Sequence, residues 1–299
     1  MRPAVVAETT FVCPACGPDA AAAPGRARIL PIGFRLVACP GCGIQWQWPR
    51  PADAQLSALY TQEYYDAWGL RDAAEAVRVA KLATFDRLLA RVERYVRPGA
   101  LLDVGCATGF LLEAADRRGW EPHGVELSPY ASRVAQRRFG ASQVACGRLE
   151  DATFPDGFFA AVTMTDLIEH VPDPVGTARG AHRLLRPGGV LCLSTPKVGC
   201  LSYHLMGSHW TQYKSEHLQY FSPAAATRLL TRVGFGVVEC GAWTKTVTLD
   251  YVRAQFVRYR HWLVSPLVEG LSRVLPSVLR TRQLSLPLGD MLVVAVRHG

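Results

Sequence analysis

The segment LLDVGCATGFLLEAA at residues 101–115 constrains the fold most, because it joins a short apolar run to an amphipathic run through a glycine-bracketed turn. Gly105 and Gly109 allow a ligand to approach the backbone closely, and the N-terminus of the following helix favours negative charge. The spacing is G-x-x-x-G, whereas a dinucleotide-binding turn has G-x-G-x-x-G. The segment therefore predicts a strand, a ligand-binding turn and a helix.

Short apolar runs alternate with amphipathic runs from residue 97 onward, which predicts an α/β fold with a doubly wound, mostly parallel sheet. The pattern divides the 299 residues into a leader (1–50), a helical lead-in or lid (51–96) and a main domain (97–299). In the lead-in, apolar residues from Val79 to Val92 recur at helical spacing. A helix is predicted at 173–189, and strands are predicted at 100–105, 122–127, 142–146, 159–168, 190–196, 237–243 and 290–297.

Four of the nine cysteines form two C-x-x-C pairs, Cys13/Cys16 and Cys39/Cys42. Each pair encloses Pro or Gly and is followed by Gly, so each turn exposes backbone N–H groups to two thiolates. Four sulfurs complete the tetrahedral shell of a structural Zn²⁺ ion, and the spacing favours zinc over four unpaired thiols. Residues 1–50 are therefore predicted to form a zinc-ribbon-like leader. The odd cysteine count favours a reducing, cytoplasmic location.

Glu126 ends the next predicted strand, 21 positions after Gly105, where a carboxylate accepts hydrogen bonds from the ribose hydroxyls of an adenosine. At this point the chain resembles the class I S-adenosylmethionine (SAM)-dependent methyltransferases over about residues 75–299. The resemblance rests on LLDVGCATG, GVELSP, LIEHVPDP, LLRPGGVLCLSTP, HLQYFSP and VGF, in that order. It implies a Rossmann-like methyltransferase fold with a seven-stranded sheet, and SAM as the methyl donor.

The resemblance also implies which residues contact the cofactor. The turn would lie under the methionine and ribose parts, Glu126 would hold the ribose, and Leu127 would flank the adenine. The segment after the third strand would pass the adenine edge, and the end of the fourth strand would lie near the sulfonium and the acceptor. Ala160 departs from the family pattern, which has Asp there. The implied cofactor residues are Asp103, Gly105, Cys106, Gly109, Glu126, Leu127, Leu149, Glu150 and Thr165.

The leader extends the resemblance, since CPGCGIQWQWPRP followed by LYTQEYY is similar to the zinc-ribbon leader of one methyltransferase subgroup. Acceptors in that subgroup are often sugars, lipids or other natural-product intermediates. The resemblance thus implies methylation of a carbon or oxygen atom on a small-molecule, sugar or lipid-linked acceptor. Methyl transfer is an in-line displacement, and a base that removes the acceptor's proton contributes typically ~10²–10⁴-fold.

The loop after the fifth predicted strand, residues 198–222, starts at the sheet edge where doubly wound folds bind ligands. It carries His217 within KSEHLQYFSP, and the Glu216–His217 pair resembles one in sugar C-methyltransferases that bear the same leader. We predict His217 as the general base, with Glu216 beside it, Tyr213 as the next catalytic candidate and Trp210 as a wall of the site. In the alternative interpretation His217 packs against Tyr220 and anchors the loop.

Two other functions compete with this one. A zinc-ribbon RNA methyltransferase would explain the net charge of +8, but TDLIEH stands where base-amine methyltransferases usually carry an Asn/Asp-Pro-Pro-aromatic motif. The leader also lacks a basic stripe interleaved with aromatic residues, so nucleic acid is a disfavoured partner. A non-catalytic SAM-binding protein is disfavoured by the intact turn and Glu126. The sequence predicts no oligomeric state.

An apolar and basic insertion near residues 252–284 interrupts the last part of the main domain. From Gly241 onward eight cations face three acids, which is +5 of the total +8. One interpretation places this segment on an anionic membrane surface as a peripheral contact. The favoured alternative is a helical insertion packed on the sheet or against a second subunit. No signal peptide or transmembrane helix is apparent, so we expect a cytoplasmic protein.

Overall fold

The computed structural model describes residues 12–17, 28–31, 33–51, 75–258 and 260–298. Half of the predicted lead-in, residues 52–74, lies outside this range. The strands in chain order are β1 (Arg28–Ile29), β2 (Arg35–Ala38), β3 (Gln45–Trp48), β4 (Ala100–Val104), β5 (Glu121–Glu126), β6 (Val144–Cys146), β7 (Phe159–Thr165), β8 (Leu185–Pro196), β9 (Gln219–Tyr220), β10 (Phe235–Val247) and β11 (Leu284–Arg297).

Nine α-helices occur among the described residues. They are α1 (Glu75–Val92), α2 (Phe110–Arg117), α3 (Pro129–Phe139), α4 (Pro174–Leu184), α5 (Leu201–Met206), α6 (Pro223–Val233), α7 (Leu249–Arg258), α8 (Val264–Val274) and α9 (Ser277–Arg280).

The main sheet has seven strands in the order β10-β11-β8-β7-β4-β5-β6. Neighbours from β8 to β6 pair in parallel, whereas β11 pairs antiparallel with both β8 and β10. Helices cover both faces: α1 and α2 pack on one through residues such as Leu88 and Leu111, and α4 and α6 on the other through residues such as Leu184 and Leu229. The predicted doubly wound, mostly parallel sheet is confirmed.

Several element boundaries differ from the predictions. The predicted helix at 173–189 is wrong at its end, because α4 stops at Leu184 and the extended Leu185 already begins β8. Pro187 explains this, since the residue before a proline disfavours the helical region. The strand predicted to reach residue 168 ends at Thr165, because Asp166 has a left-handed φ of 52°. Strands β10 and β11 extend beyond their predicted bounds.

Two further sequence observations acquire a structural setting. In α1, Leu82, Leu88, Leu89 and Val92 are buried as the periodicity predicts, whereas Val79 is exposed. Ala160, at the departure from the family pattern, is buried in the core between the sheet and α1.

A second, four-stranded sheet has the order β1-β2-β3-β9. Its first three strands come from the leader, and β9 comes from the loop that follows β8. Trp46 of β3 is paired with Gln219 of β9, in an antiparallel ladder. The leader is therefore joined by backbone hydrogen bonds to the loop that contains His217.

The predicted basic insertion forms α7, α8 and α9 between β10 and β11. Because β10 runs parallel to β8, the insertion leaves the sheet at the edge where the parallel strands have their carboxyl ends. Among the described residues, no helix combines the length and apolar character that crossing a bilayer requires.

Candidate active site

A cavity of about 760 Å³ opens at the carboxyl edge of the main sheet. The β4–α2 turn and the end of β5 line one part of it, and the ends of β7 and β10 with the loop after β8 line the other. Gly109, one of the predicted cofactor residues, does not line the cavity. The predicted cofactor residues that do are Asp103, Gly105, Cys106, Glu126, Leu127, Leu149, Glu150 and Thr165.

The β4–α2 turn depends on its two glycines. Gly105 has φ 77°, and a Cβ there would lie 2.9 Å from Cδ1 of Leu167. Gly109 has φ 87°, and its Cβ would lie 2.7 Å from Cε2 of Phe139. Both positions are therefore closed to other side chains by conformation and by space. Gly109 shapes the turn from outside the cavity.

Glu126 is held at the end of β5 by backbone donors from two directions. The N–H of Ala107 donates to Oε2 at 2.9 Å, and the N–H of Ser128 donates to Oε1 at 2.8 Å. Ala107 itself has a left-handed φ of 49°. Since a carboxylate has about four acceptor sites, Glu126 retains the capacity to accept from ligand hydroxyls in the cavity.

Asp103 lies at the floor of the same turn and is 2% exposed. Its Oδ1 accepts a hydrogen bond from Thr163 Oγ1 at 2.7 Å. Burial raises the pKa of Asp103 to about 7, and the nearby charge of Glu126 contributes to the increase. The carboxyl of Asp103 is thus only partly ionised at pH 7. A cationic ligand beside it would favour the ionised form.

Across the cavity, an ion cluster joins three strands. Lys245 of β10 lies 2.8 Å from Oδ2 of Asp166 and 3.1 Å from Oδ2 of Asp290. Burial alone would lower the pKa of Lys245, but the two carboxylates raise it, so the ammonium stays charged. The side chain of Asp166 is 45% exposed, and the adjacent Lys245 ammonium holds the pKa of Asp166 below its usual value.

Two more lysines line the cavity, Lys81 from α1 and Lys214 from the loop after β8. Burial lowers the pKa of each ammonium to about 8. Lys81, Lys214, Lys245 and Asp290 are site residues that the sequence did not predict. No spacing or motif marks them, because they lie on α1, on the loop after β8, on β10 and on β11. These elements are distant in sequence, and the order of the strands in the sheet brings them together.

Glu169, His170 and His217 form a cluster on the cavity wall, with one ligand-type atom from each within 4.8 Å of the others. The two imidazole rings meet edge to face, with centroids 4.7 Å apart. His170 Nδ1 lies 3.0 Å from the carbonyl oxygen of Glu216, which fixes that ring. Among the described residues, neither carboxylate oxygen of Glu169 nor Nδ1 of His217 has a hydrogen-bond partner, although all are buried.

Burial sets the protonation of this cluster. It lowers the pKa of His170 to about 4 and that of His217 well below its usual value, so both imidazoles are neutral at pH 7. Burial raises the pKa of Glu169 to about 8, and the charge of Asp166 adds to this. A neutral imidazole accepts a proton, and two imidazoles with a carboxylate are also a donor set suited to a divalent transition metal.

The other predicted catalytic residues lie behind this wall and do not line the cavity. Glu216 is buried, and its Oε2 accepts from Ser215 Oγ at 3.1 Å. The hydroxyl of Tyr213 donates to Gln45 Oε1 at 3.1 Å. Tyr213 packs with Trp210 and Tyr220 in an aromatic cluster beneath the loop, so Trp210 does not form the expected cavity wall.

Contacts from the leader fix the loop that carries His217. Nε2 of Gln47 in β3 lies within 3.2 Å of the carbonyl oxygens of Lys214, Ser215 and His217. The ring of His217 also lies 5.8 Å from that of Tyr220, measured between centroids. His217 therefore lines the cavity and packs in the loop, as both sequence interpretations require.

The four leader cysteines converge on one point. Cys13 Sγ lies 3.5 Å from Cys42 Sγ, and Cys16 Sγ lies 3.9 Å from Cys39 Sγ. Tetrahedral coordination with Zn–S bonds of about 2.3 Å places sulfurs about 3.8 Å apart. Arg228 Nη1 approaches Cys16 Sγ at 3.6 Å, which suits a site with excess thiolate charge. The four side chains thus fit a structural zinc ion.

Comparison with known proteins agrees with this geometry. The profile of the methyltransferase-domain family matches residues 70–240, more than half of the chain. The ubiquinone biosynthesis O-methyltransferase of Xanthomonas campestris is 38% identical over 144 residues. That match covers 46% of this chain and 58% of the relative. A relative from Chromobacterium violaceum with the same description is 32% identical over 149 residues, covering 46% of this chain and 64% of that one.

Solved structures show the same fold at low identity. A protein solved in complex with the Haloferax volcanii Trm112 methyltransferase activator has a TM-score of 0.54 and 19% identity, over 79% of this chain and 98% of its own. A SAM-dependent methyltransferase from Thermotoga maritima has a TM-score of 0.51 and 17% identity, over 81% and 98%. With the family match and the cofactor-type turn, these likenesses show that the chain belongs to the class I SAM-dependent methyltransferase family.

Proposed function

We propose that this chain transfers the methyl group of SAM to an oxygen or carbon atom of a small-molecule, sugar or lipid-linked acceptor. One observation carries the proposal. The residues suited to hold the cofactor, Asp103 and Glu126, line the same cavity as the neutral imidazole of His217. A methyl donor and an acceptor bound together in this cavity would be adjacent, which in-line methyl transfer requires.

The cofactor would supply an electrophilic methyl group on a sulfonium sulfur. The chain's own residues would hold it: Glu126 accepts hydrogen bonds from the ribose, and Asp103 faces the positively charged methionine part. Leu127 and Leu149 offer apolar surface for the adenine, since Leu127 is 39% exposed and lines the cavity. Gly105 allows close approach because a side chain there would fill the space.

His217 would then accept the proton of the acceptor through its unpartnered Nδ1. A histidine whose pKa is lowered by burial is a weak base, so the imidazolium needs a nearby negative charge. Glu169 would provide it in its ionised form, above its raised pKa of about 8, since a carboxylate oxygen lies within 4.8 Å of a ring nitrogen of His217. Lys214 and Lys245 line the same part of the cavity and suit a polar acceptor.

Two observations bear on which atom is methylated, and they favour different atoms. The curated relatives are described as O-methyltransferases, which favours oxygen. The resemblance of the zinc leader to that of sugar C-methyltransferases favours carbon. NMR of the product made with ¹³C-methyl SAM separates the two, because methoxy and C-methyl carbons differ widely in chemical shift.

Replacement of His217 tests the proposal. We expect H217Q to lower kcat by about 10²–10⁴-fold, the usual contribution of a general base, with the Kd for S-adenosylhomocysteine (SAH) unchanged. The matched control is H204Q, because His204 is exposed in the same loop and does not line the cavity.

Two results would contradict the proposal, one for the role of His217 and one for the methyltransferase function itself. If H217Q turns over at the wild-type rate, His217 only anchors the loop, and the methyltransferase function survives. If the wild-type protein binds neither SAM nor SAH in calorimetry, the proposed function itself is wrong.

A further inference from the structure

Helix α8 exposes an apolar stripe to solvent, whereas a surface helix normally exposes its polar face. Leu263 at its N-cap is 50% exposed, and Leu267, Leu271 and Val274 are 65%, 47% and 77% exposed. These positions are spaced by four, four and three residues, so they form one stripe. A surface helix usually buries such a stripe and exposes its polar residues.

Two serines of α8 are buried instead, on another side of the helix. Ser265 and Ser272 are 8% and 1% exposed. Ser265 Oγ donates to the carbonyl oxygen of Phe256 in α7 at 3.1 Å and accepts from the N–H of His261 at 2.9 Å. These bonds fix the helix with its apolar stripe outward.

The apolar surface continues at both ends of the helix. Trp262 precedes it and is 72% exposed, and Val278 of α9 is 77% exposed. We call the surface formed by Trp262, Leu263, Leu267, Leu271, Val274 and Val278 the outer stripe. A group of exposed large apolar side chains of this kind is typical of an interaction site.

The charges near the outer stripe indicate what covers it. Between residues 253 and 282 the sequence has six arginines and a single acid, Glu269. Arg253, Arg260, Arg273 and Arg282 are exposed. A second copy of this surface would bring like charges together, which opposes self-association. An anionic bilayer would attract them instead, by about fivefold in partitioning for each cation.

We propose that the outer stripe docks on an anionic membrane surface, with α8 lying in the plane of the headgroups. The leucines and valines would enter the acyl boundary, Trp262 would lie at headgroup level, and the arginines would contact lipid phosphates. The insertion also reaches the cavity, since Tyr251, Gln255 and Phe256 of α7 line it. Docking would therefore place the cavity next to the bilayer, independently of the reaction that occurs in it.

Vesicle flotation of the full chain tests this. We expect binding to vesicles of phosphatidylcholine and phosphatidylglycerol (1:1), at least about a hundredfold weaker binding to phosphatidylcholine alone, and loss of the difference in 1 M salt. The variant L267S/L271S should bind the anionic vesicles at least tenfold less. R260A/R282A should lose about 25-fold, but only on anionic vesicles.

The matched control is F158S/V238S, which removes two exposed apolar side chains from the opposite edge of the sheet, where β7 and β10 begin. It should bind vesicles like the wild type, and all variants should keep the wild-type Kd for SAH.

Three outcomes would overturn the proposal. One is a wild-type chain that ignores anionic vesicles. Another is a dimer in light scattering that L267S/L271S converts to a monomer, which would assign the outer stripe to a second copy. The third is a large loss of thermal stability in L267S/L271S without lipid, which would show that another part of the chain covers the stripe.

Discussion

The carboxyl of Asp103 illustrates how single residues of this site depend on their surroundings. A solvent-exposed aspartate has a pKa near 4, whereas burial and the charge of Glu126 raise that of Asp103 to about 7. A carboxyl with a raised pKa in the folded chain favours the protonated form. Without ligand, ionisation of Asp103 therefore costs stability as pH rises through this range.

Binding of a cationic ligand should reverse that preference. Below pH 7 Asp103 is mostly protonated, so SAM binding must release its proton, and the Kd for SAM should rise about fivefold between pH 7 and pH 6. Isothermal titration calorimetry in buffers of different ionisation enthalpy measures both the Kd and the proton release. D103N should bind SAM more weakly at pH 8 and show a flatter pH profile. An unchanged profile in D103N would assign the titration to another group.

His217 and Glu169 make a related point about residue chemistry. The two residues lie 48 positions apart in the sequence, yet a ligand atom of one lies within 4.8 Å of a ligand atom of the other. The sequence marked His217 through its neighbours in the loop, but the absence of hydrogen-bond partners for Glu169 appears only in the folded chain.

At the scale of elements, the short pairing between β3 and β9 connects the leader to the candidate active site. Gln47 lies next to this ladder and is only 4% exposed. Its side-chain amide contacts three successive parts of the loop, at Lys214, Ser215 and His217. Because a buried donor satisfies several carbonyl groups here, its loss would leave those groups without a partner.

Replacement of Gln47 tests this link. We expect Q47L to destabilise the chain by about 1–3 kcal/mol and to raise the KM for the acceptor, with the Kd for SAH unchanged, because the cofactor residues lie on other elements. The matched control is Q45L, since Gln45 contacts Tyr203 and Tyr213, which do not line the cavity. Equal effects of Q47L and Q45L on KM would mean that the whole leader, and not Gln47, positions the loop.

At the scale of the whole molecule, the cysteine cluster is linked to parts of the chain that lie outside the leader. The leader sheet includes β9, and Ser222 Oγ donates to the carbonyl oxygen of Cys42 at 2.6 Å. Arg232 of α6 also donates to the carbonyl oxygens of Pro14 and Ala15. A metal in the cysteine cluster would thus support the acceptor side of the cavity, while the β4–α2 turn follows a strand of the main sheet.

Metal removal should separate these two halves. We expect the purified chain to contain about one zinc per molecule by elemental analysis. Chelation, or the variant C39S, should remove hydrogen-exchange protection from the leader strands and from residues 214–220. The Kd for SAH should change less than threefold. Retained protection at 214–220 in the metal-free chain would show that β9 and the loop do not depend on zinc.

The sequence by itself determined the fold class, the glycine turn, Glu126 and the zinc-type cysteine pairs. These features are local. The strand, the glycine turn and the helix are encoded by adjacent residues, and each C-x-x-C turn brings two thiolates close enough to bind one metal ion. The seven-stranded sheet and the cavity at its carboxyl edge follow from the alternation of strands and helices.

Only the tertiary structure decided which distant residues meet. Lys245 and Asp290 reach Asp166 because β11 inserts antiparallel between β8 and β10, an order that no local pattern encodes. It also placed Tyr213 and Glu216 behind the cavity wall, and it turned the apolar stripe of α8 towards solvent. Periodicity identifies an apolar face, but the direction of that face depends on which neighbour the helix packs against.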